Sequence, residues 1–335
     1  MTLQEQSQSM LPALEAELKR QVARFDHPES AGFHEMLSFH MGWSDEASGN
    51  PAKRVRPLLM LLVVAACPGQ WLRAIPAAAA IELVHNFSLV HDDIQDNSTT
   101  RRGRVTAWKK YGVPMAVNMG DALFAISNQA VLDVSAHFPP EVVLAAAASL
   151  HAACIALTRG QYLDMSYERR TDLRVDDYWP MVEGKTAALL AASTEMGAIL
   201  GGAMGDRVRY FAGFGHNVGL AFQVQDDILG IWGDEQATGK STASDLIEGK
   251  NSLPVLHGLA HSPEFAERWA GPAIAPEETP HLAQLLKDEG AFAYCVREAE
   301  RLTGLAMESL RAADPQGEAG EALRELADTL LQRQS

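Results

Sequence analysis

IPAAAAIELVHNFSLVHDDIQD, from Ile75 to Asp96, is the stretch on which the reading of this chain turns. Pro76 suits a first helical turn, where its missing N–H has no intrahelical partner to lose, and the segment then runs to Asp96 without a breaker. At about 100° per residue, Asp92 and Asp96, four apart, fall on one stripe with His85, seven before Asp92. An apolar helix ending in aligned carboxylates points them at a metal or a ligand.

The remaining chain has the same character. Alanine, leucine, glutamate and methionine dominate stretches such as Glu141 to Leu157 and Thr186 to Leu200, with no Val/Ile/Thr alternation bounded by hairpin turns. The expected fold class is all-α. Loops are expected at Ser44 to Ala52, Asn97 to Arg104, Gly233 to Pro254 and Ser262 to Pro280. None resembles an interdomain linker, so residues 1–335 are read as a single domain whose first ten or so residues are loosely held. The architecture expected is an antiparallel helical bundle around a central cavity, where facing helices build metal sites.

Composition narrows the function. With 47% hydrophobic and 21% charged residues the chain supports a sizeable core. A formal net charge of -15 opposes general binding to nucleic acid or to an anionic membrane surface. Cys67, Cys154 and Cys295 form no CxxC pair, which fits neither a disulfide framework nor a zinc site and suits a reducing cytoplasm. The opening residues are polar and acidic, unlike a signal peptide. The longest unbroken apolar run, Leu58 to Cys67, is far short of the ~20 residues that span a bilayer, so no membrane segment is expected.

Charged patches accompany the first acidic segment. Magnesium is usually held by one or two carboxylates, water and substrate phosphate oxygens, and Asp92 with Asp96 supplies such a half-site. Arg101 and Arg102, in NSTTRRGRV, follow closely and suit a diphosphate held partly by guanidinium. Upstream, AKRVRPLL places Lys53 and Arg56 three apart, on one face if the turn is helical. A second acidic segment, FQVQDDILG, echoes the first and sets Gln223 three before Asp226 and four before Asp227. The loop beyond it carries Lys240, Asp245 and Lys250, the lysines suited to closing over phosphates. Lys185 and Thr186, in EGKTAALL, are read as opening an apolar helix.

In this order and at these intervals, KRVRP, His85, DDIQD, RRGR, GKT, FQVQDD, TGK and SDLIEGK resemble the trans-isoprenyl diphosphate synthases, or polyprenyl synthetases, from about Ala52 to Pro254. The resemblance implies a magnesium-dependent prenyltransferase that joins isopentenyl diphosphate to an allylic diphosphate and releases pyrophosphate. It implies three magnesium ions bridging the allylic diphosphate, held by Asp92, Asp96 and Asp226, with Asp93, Asp227 and Asp245 in support. By the same resemblance Arg101, Lys185, Gln223 and Lys240 touch that diphosphate, and Thr186, Phe222 and Lys250 go with them. Isopentenyl diphosphate is assigned to Lys53, Arg56, His85 and Arg102. A homodimer is implied by the family.

Two positions depart from the family pattern. Gly230 stands where many members carry the last aspartate of the second acidic segment, and Ala52 replaces the glycine before Lys53. Phe87 and Ser88, one turn before Asp92, sit where the family's cavity has its floor and imply a geranylgeranyl product, with farnesyl next. A class I terpene cyclase shares the acidic helix but needs no isopentenyl site. A non-catalytic subunit of a prenyl synthase is the other alternative, and it has no need of an intact DDIQD.

Overall fold

The computed structural model describes residues 2–44, 53–168, 170–233 and 243–331. It forms two compact units, each gathered from separate stretches of chain. The first comprises Met1–His151, Ser193–Val208 and Pro315–Leu323, the second Ala152–Ala192, Arg209–Asp314 and Arg324–Ser335.

In the first unit, helix α1 (Leu3–Val22) starts at once. Thr2 and Glu5 close a capping box, and Gln6 and Met10 are already buried, so the opening residues are held more firmly than expected. After α2 (Ala31–Met41) come α3 (Val55–Ala66) and α4 (Trp71–Gln95). Leu58 to Val64 of α3 are buried all round, which accounts for that unbroken apolar run without a membrane. Helix α4 packs against α1, α3 and α6 (Val113–Leu132), and its buried Ala77 to Ala80 let those neighbours approach.

Helix α4 begins five residues before Pro76, so that proline lies inside it and not in its first turn. It forfeits one backbone bond, to the Leu72 carbonyl, in a turn where the Leu72 side chain is exposed. Between α4 and α5 (Ala107–Tyr111) the expected loop is a small antiparallel hairpin, β1 (Thr100–Arg101) and β2 (Arg104–Val105). Its two turn residues, Arg102 and Gly103, have φ of 54° and 76°, the left-handed pair that matches the twist of a two-residue hairpin.

Helix α7 (Pro140–Tyr167) contributes to both units. By length and composition it is apolar enough to cross a membrane, a feature missed by looking only for unbroken runs. Ala146, Leu150 and Ala153 are buried, as in the core helix of a folded domain.

The second unit continues with α8 (Val175–Val182), a π-helical segment (Glu183–Ala187), α9 (Ala188–Leu200) and α10 (Asp206–Trp232), the last two shared with the first unit. Two expected loops contain helices: Gly233 to Pro254 holds α11 (Ser244–Glu248) and the start of α12 (Leu253–His261), and Ser262 to Pro280 holds α13 (Pro263–Trp269). Pro263 starts α13 instead of breaking it, because its fixed φ suits a first turn, and the Ser262 hydroxyl accepts from Phe265 N at 3.3 Å. Helices α14 (Thr279–Asp288), α15 (Ala291–Ala313) and α16 (Gly317–Leu331) follow. Ile231, Ala243, Leu246, Val255, Phe265 and Leu286 share one buried cluster, which ties α11 to the end of α10.

Candidate active site

The first acidic segment closes α4 in the first unit. Asp92 and Asp93 lie in the last turn, and Asp96 is the C-cap residue, its N–H donating to the Asp92 carbonyl at 2.8 Å. Arg101 reaches across from β1, donating from Nε to Asp93 Oδ1 at 2.6 Å and from Nη2 to Asp92 Oδ2 at 3.1 Å. Asp93 is buried and Asp96 exposed. Burial pushes the Asp93 carboxyl up, and the Arg101 charge pulls it back. Asp93 therefore anchors the arginine, while Asp96 lies at the exposed end of the helix.

Arg56 and His85 meet in this unit, Arg56 Nη1 lying 3.4 Å from His85 Nε2. Burial, then the Arg56 charge, lowers the His85 pKa well below its ordinary value, so the imidazole is neutral and accepts from the guanidinium. Lys53 precedes α3 and is exposed, so no helical turn joins it to Arg56. Arg54, between them, turns the chain with φ of 48° and buries its guanidinium against Glu82 at 2.6 Å. Arg102 is exposed at the hairpin turn. A cavity of about 220 Å³ lies beside the hairpin, lined among others by Arg54, Arg101, Arg102, Arg104, Asp93 and Glu15.

In the second unit Lys185 and Thr186 do not open a helix. They sit in the π-helical segment that continues α8 into α9, where one extra residue per turn re-aims side chains. The segment crosses α7 at two glycines: a Cβ on Gly160 would lie 2.2 Å from Lys185 N, and one on Gly184 2.5 Å from the Ala156 carbonyl. Lys185 Nζ donates to Asp164 Oδ2 at 2.5 Å. The Thr186 hydroxyl donates to Gln223 Oε1 at 2.8 Å, and Gln223 Nε2 to Asp227 Oδ1 at 2.9 Å.

Asp227 is buried among donors. Its Oδ2 accepts from the Tyr178 hydroxyl at 2.7 Å and from Leu253 N at 3.0 Å. Burial, then the nearby Asp245 charge, pushes its pKa up to about 7. Asp226, by contrast, is exposed on α10, and Phe222 is partly buried one turn earlier. Lys250 Nζ lies 2.6 Å from Glu248 Oε2 and 3.8 Å from Asp245 Oδ1. Lys240 and Ala52 fall outside the described residues.

Phe87 is directed at α6. Its ring lies 5.0 Å from that of Phe124 and 5.6 Å from the imidazole of His91, and the Ser88 hydroxyl donates to the His85 carbonyl at 2.8 Å. Gly120 admits His91, whose Nε2 a Cβ there would meet at 2.2 Å.

Some partners were not foreseen. Glu82 carried a signal, being a lone carboxylate inside an apolar run that needs a buried cation, and Arg54 supplies it. Asp164 and Tyr178 carried none, because each lies far in sequence from the residue it bonds. Arg104 serves α2, donating from Nη2 to the Phe39 and His40 carbonyls at 2.9 and 3.0 Å.

Residues 42–285 match the family model described as Polyprenyl synthetase. A (2E,6E)-farnesyl diphosphate synthase of Mycobacterium tuberculosis is 38% identical over 313 residues, 90% of this chain and 86% of its own. A geranylgeranyl diphosphate synthase of Sulfolobus acidocaldarius is 36% identical over 287 residues, 84% and 87% of the two chains. The crystal structure of a polyprenyl synthetase from Streptomyces coelicolor A3(2) superposes with a TM-score of 0.87 at 35% identity, covering 98% of both chains. The chain belongs to the polyprenyl synthetase family. Within it, it is a short-chain trans-isoprenyl diphosphate synthase, and its activity is prenyl transfer.

Proposed function

We propose that this prenyltransferase condenses isopentenyl diphosphate with allylic diphosphates, depends on magnesium and makes geranylgeranyl diphosphate. The observation that carries the reading is the intact DDIQD at the end of α4 with Arg101 bound to two of its carboxylates. The donor set suits magnesium: its oxygens are hard, and Asp92, Asp96 and Asp226 offer carboxylates. Among the described residues no three His, Cys, Asp or Glu side chains converge into a closed cage. Held by Asp92, Asp96 and Asp226, magnesium would supply positive charge against the diphosphate that departs.

The chain's residues do the rest. Arg101 and Lys185, with Lys240, take up diphosphate charge as the allylic carbon–oxygen bond breaks to give a carbocation and pyrophosphate. Arg56, neutral His85, Lys53 and Arg102 hold isopentenyl diphosphate so that its double bond attacks the cation. The new cation then loses a proton to a pyrophosphate oxygen. Phe87, backed by Phe124, limits how far the product's tail extends, which favours a short chain. Farnesyl diphosphate is the second reading, favoured by the name of the M. tuberculosis relative.

The two units draw on interleaved segments, which supports one catalytic domain. The exposed apolar stripe of α6, where Val113, Val117, Phe124 and Leu132 fall within about 100° of one another, supports a homodimer. The direct test supplies magnesium, labelled isopentenyl diphosphate and each of dimethylallyl, geranyl and farnesyl diphosphate, and identifies dephosphorylated products by mass. Geranylgeraniol is expected from every starter. Folded protein that elongates none of them overturns the reading, and cyclic hydrocarbon released from geranyl or farnesyl diphosphate alone makes it a terpene cyclase.

A further inference from the structure

Arg54 stands between Lys53 and Arg56, two of the residues given to isopentenyl diphosphate, yet its side chain turns inward and is only 7% exposed. Nη1 donates to Glu82 Oε1 at 2.6 Å, and Nε and Nη2 donate to the two carboxylate oxygens of Glu15 at 3.3 and 3.2 Å. Glu82 is as well sealed, at 3% exposure, and also accepts from Asn86 Nδ2 at 2.9 Å. A buried guanidinium already paired with two carboxylates is not a ligand for a diphosphate.

The pair bears instead on where α3 begins. Arg54 immediately precedes the helix, with φ of 48° and ψ of 37°. A residue other than glycine keeps this left-handed conformation only when its surroundings demand it. Here the surroundings are Glu82 of α4 and Glu15 of α1, which draw the guanidinium inward. Two residues further on, Arg56 meets His85, which lies three residues after Glu82 and so one turn along the same side of α4. The entry of α3 is thus fastened to α4 by two rungs, a buried one of Arg54 on Glu82 and a partly exposed one of Arg56 on His85. Glu15 adds a tie of its own by accepting from Trp43 Nε1, so the chain leaving α2 and the chain entering α3 share one carboxylate.

We infer that Arg54 and Glu82 are positioning residues of the isopentenyl diphosphate subsite, their buried pair setting the turn that leaves Lys53 exposed and brings Arg56 to His85. A buried ion pair contributes little stability over apolar side chains of the same size, because desolvation offsets the attraction. What it supplies is direction, since charged hydrogen bonds fix an orientation that apolar side chains would leave open.

This inference rests on the assignment of isopentenyl diphosphate to Arg56 and His85, and the experiment separates the two. Steady-state kinetics of the full chain with magnesium give KM for isopentenyl and for allylic diphosphate separately, and urea unfolding checks the fold. Arg56→Ala is the reference, and an unchanged KM for isopentenyl diphosphate in it removes the assignment and the inference together. Glu82→Gln, nearly isosteric, and Arg54→Lys, which keeps the charge but loses the fork, are each expected to raise that KM about tenfold, with KM for allylic diphosphate within about twofold of wild type. An equal rise for both substrates, or no rise beside an impaired Arg56→Ala, overturns the inference and leaves the assignment standing. The double variant Arg54→Met/Glu82→Met removes both charges and fills the space. It is expected to regain the urea midpoint lost in Glu82→Gln while KM for isopentenyl diphosphate stays raised. Regained stability with a wild-type KM reduces the pair to packing and overturns the inference, and the single variants decide it where the double variant does not fold.

Discussion

His40 shows how much a single side chain's setting matters. Its Nε2 is buried without a hydrogen-bond partner, and burial together with the Arg104 charge lowers its pKa from 6.5 to about 3. The unfolded chain therefore binds this proton more tightly than the folded one. The stability this group contributes is fully present above pH 6.5 and is lost as pH falls toward about 3. Urea unfolding of wild type and His40→Leu at about pH 7 and about pH 5 should show wild type losing roughly 2 kcal/mol more than the variant between the two pH values. An equal loss in both removes the buried neutral imidazole from the account.

Phe87 and Asp164 belong to the same scale. If the ring of Phe87, backed by Phe124, limits the tail, Phe87→Ala should shift the product longer by at least one five-carbon unit, read by mass spectrometry. An unchanged product would sink the floor assignment. The Lys185–Asp164 pair is partly exposed on both sides, so Asp164→Asn should cost under about 1 kcal/mol of stability. The pair is weak enough for the ammonium to exchange it for a diphosphate. A larger stability loss in urea would make it a structural bridge instead.

Among the elements, the π-helical segment is the one a pattern of apolar residues does not disclose. EGKTAALL continues the helical period of α9, and nothing in it announces an inserted residue. What sets the register is Gly160 of α7 meeting Gly184 of the π-helical segment, a contact between residues twenty-four apart in sequence. Gly184→Ala would place a methyl against the Ala156 carbonyl and should destabilise by about 2 kcal/mol while raising the KM for allylic diphosphate. Stability loss with KM unchanged would separate the crossing from the placement of Lys185. The acidic end of α4 was legible for the opposite reason, since its carboxylates, its apolar body and its arginine partner all lie within one short stretch. The hairpin was hidden because two-residue strands are too short to show alternation, although Gly103 marked its turn.

For the whole molecule, several apolar side chains of α6 are exposed among the described residues. Leu144, Ile155 and Tyr162 of α7 likewise share one exposed stripe, their spacings of eleven and seven returning to nearly the same angle. Val117→Glu combined with Ile155→Glu should convert a dimer to monomer in sedimentation velocity, with little loss of monomer stability because both positions are exposed. A wild type that sediments as a monomer at micromolar concentration would remove the dimer.

By itself the sequence determined the all-helical class and the family, because helical periodicity and motif spacing are local properties written along the chain. Tertiary structure decided which of the acidic side chains are buried and which are exposed. Asp227 is buried and held by Tyr178 and Leu253, while Asp226 at the preceding position is exposed. The Asp245 carboxylate rests against the bare Cα of Gly230. These outcomes depend on segments remote in sequence meeting at van der Waals distance, and no pattern along one segment records where another will pack.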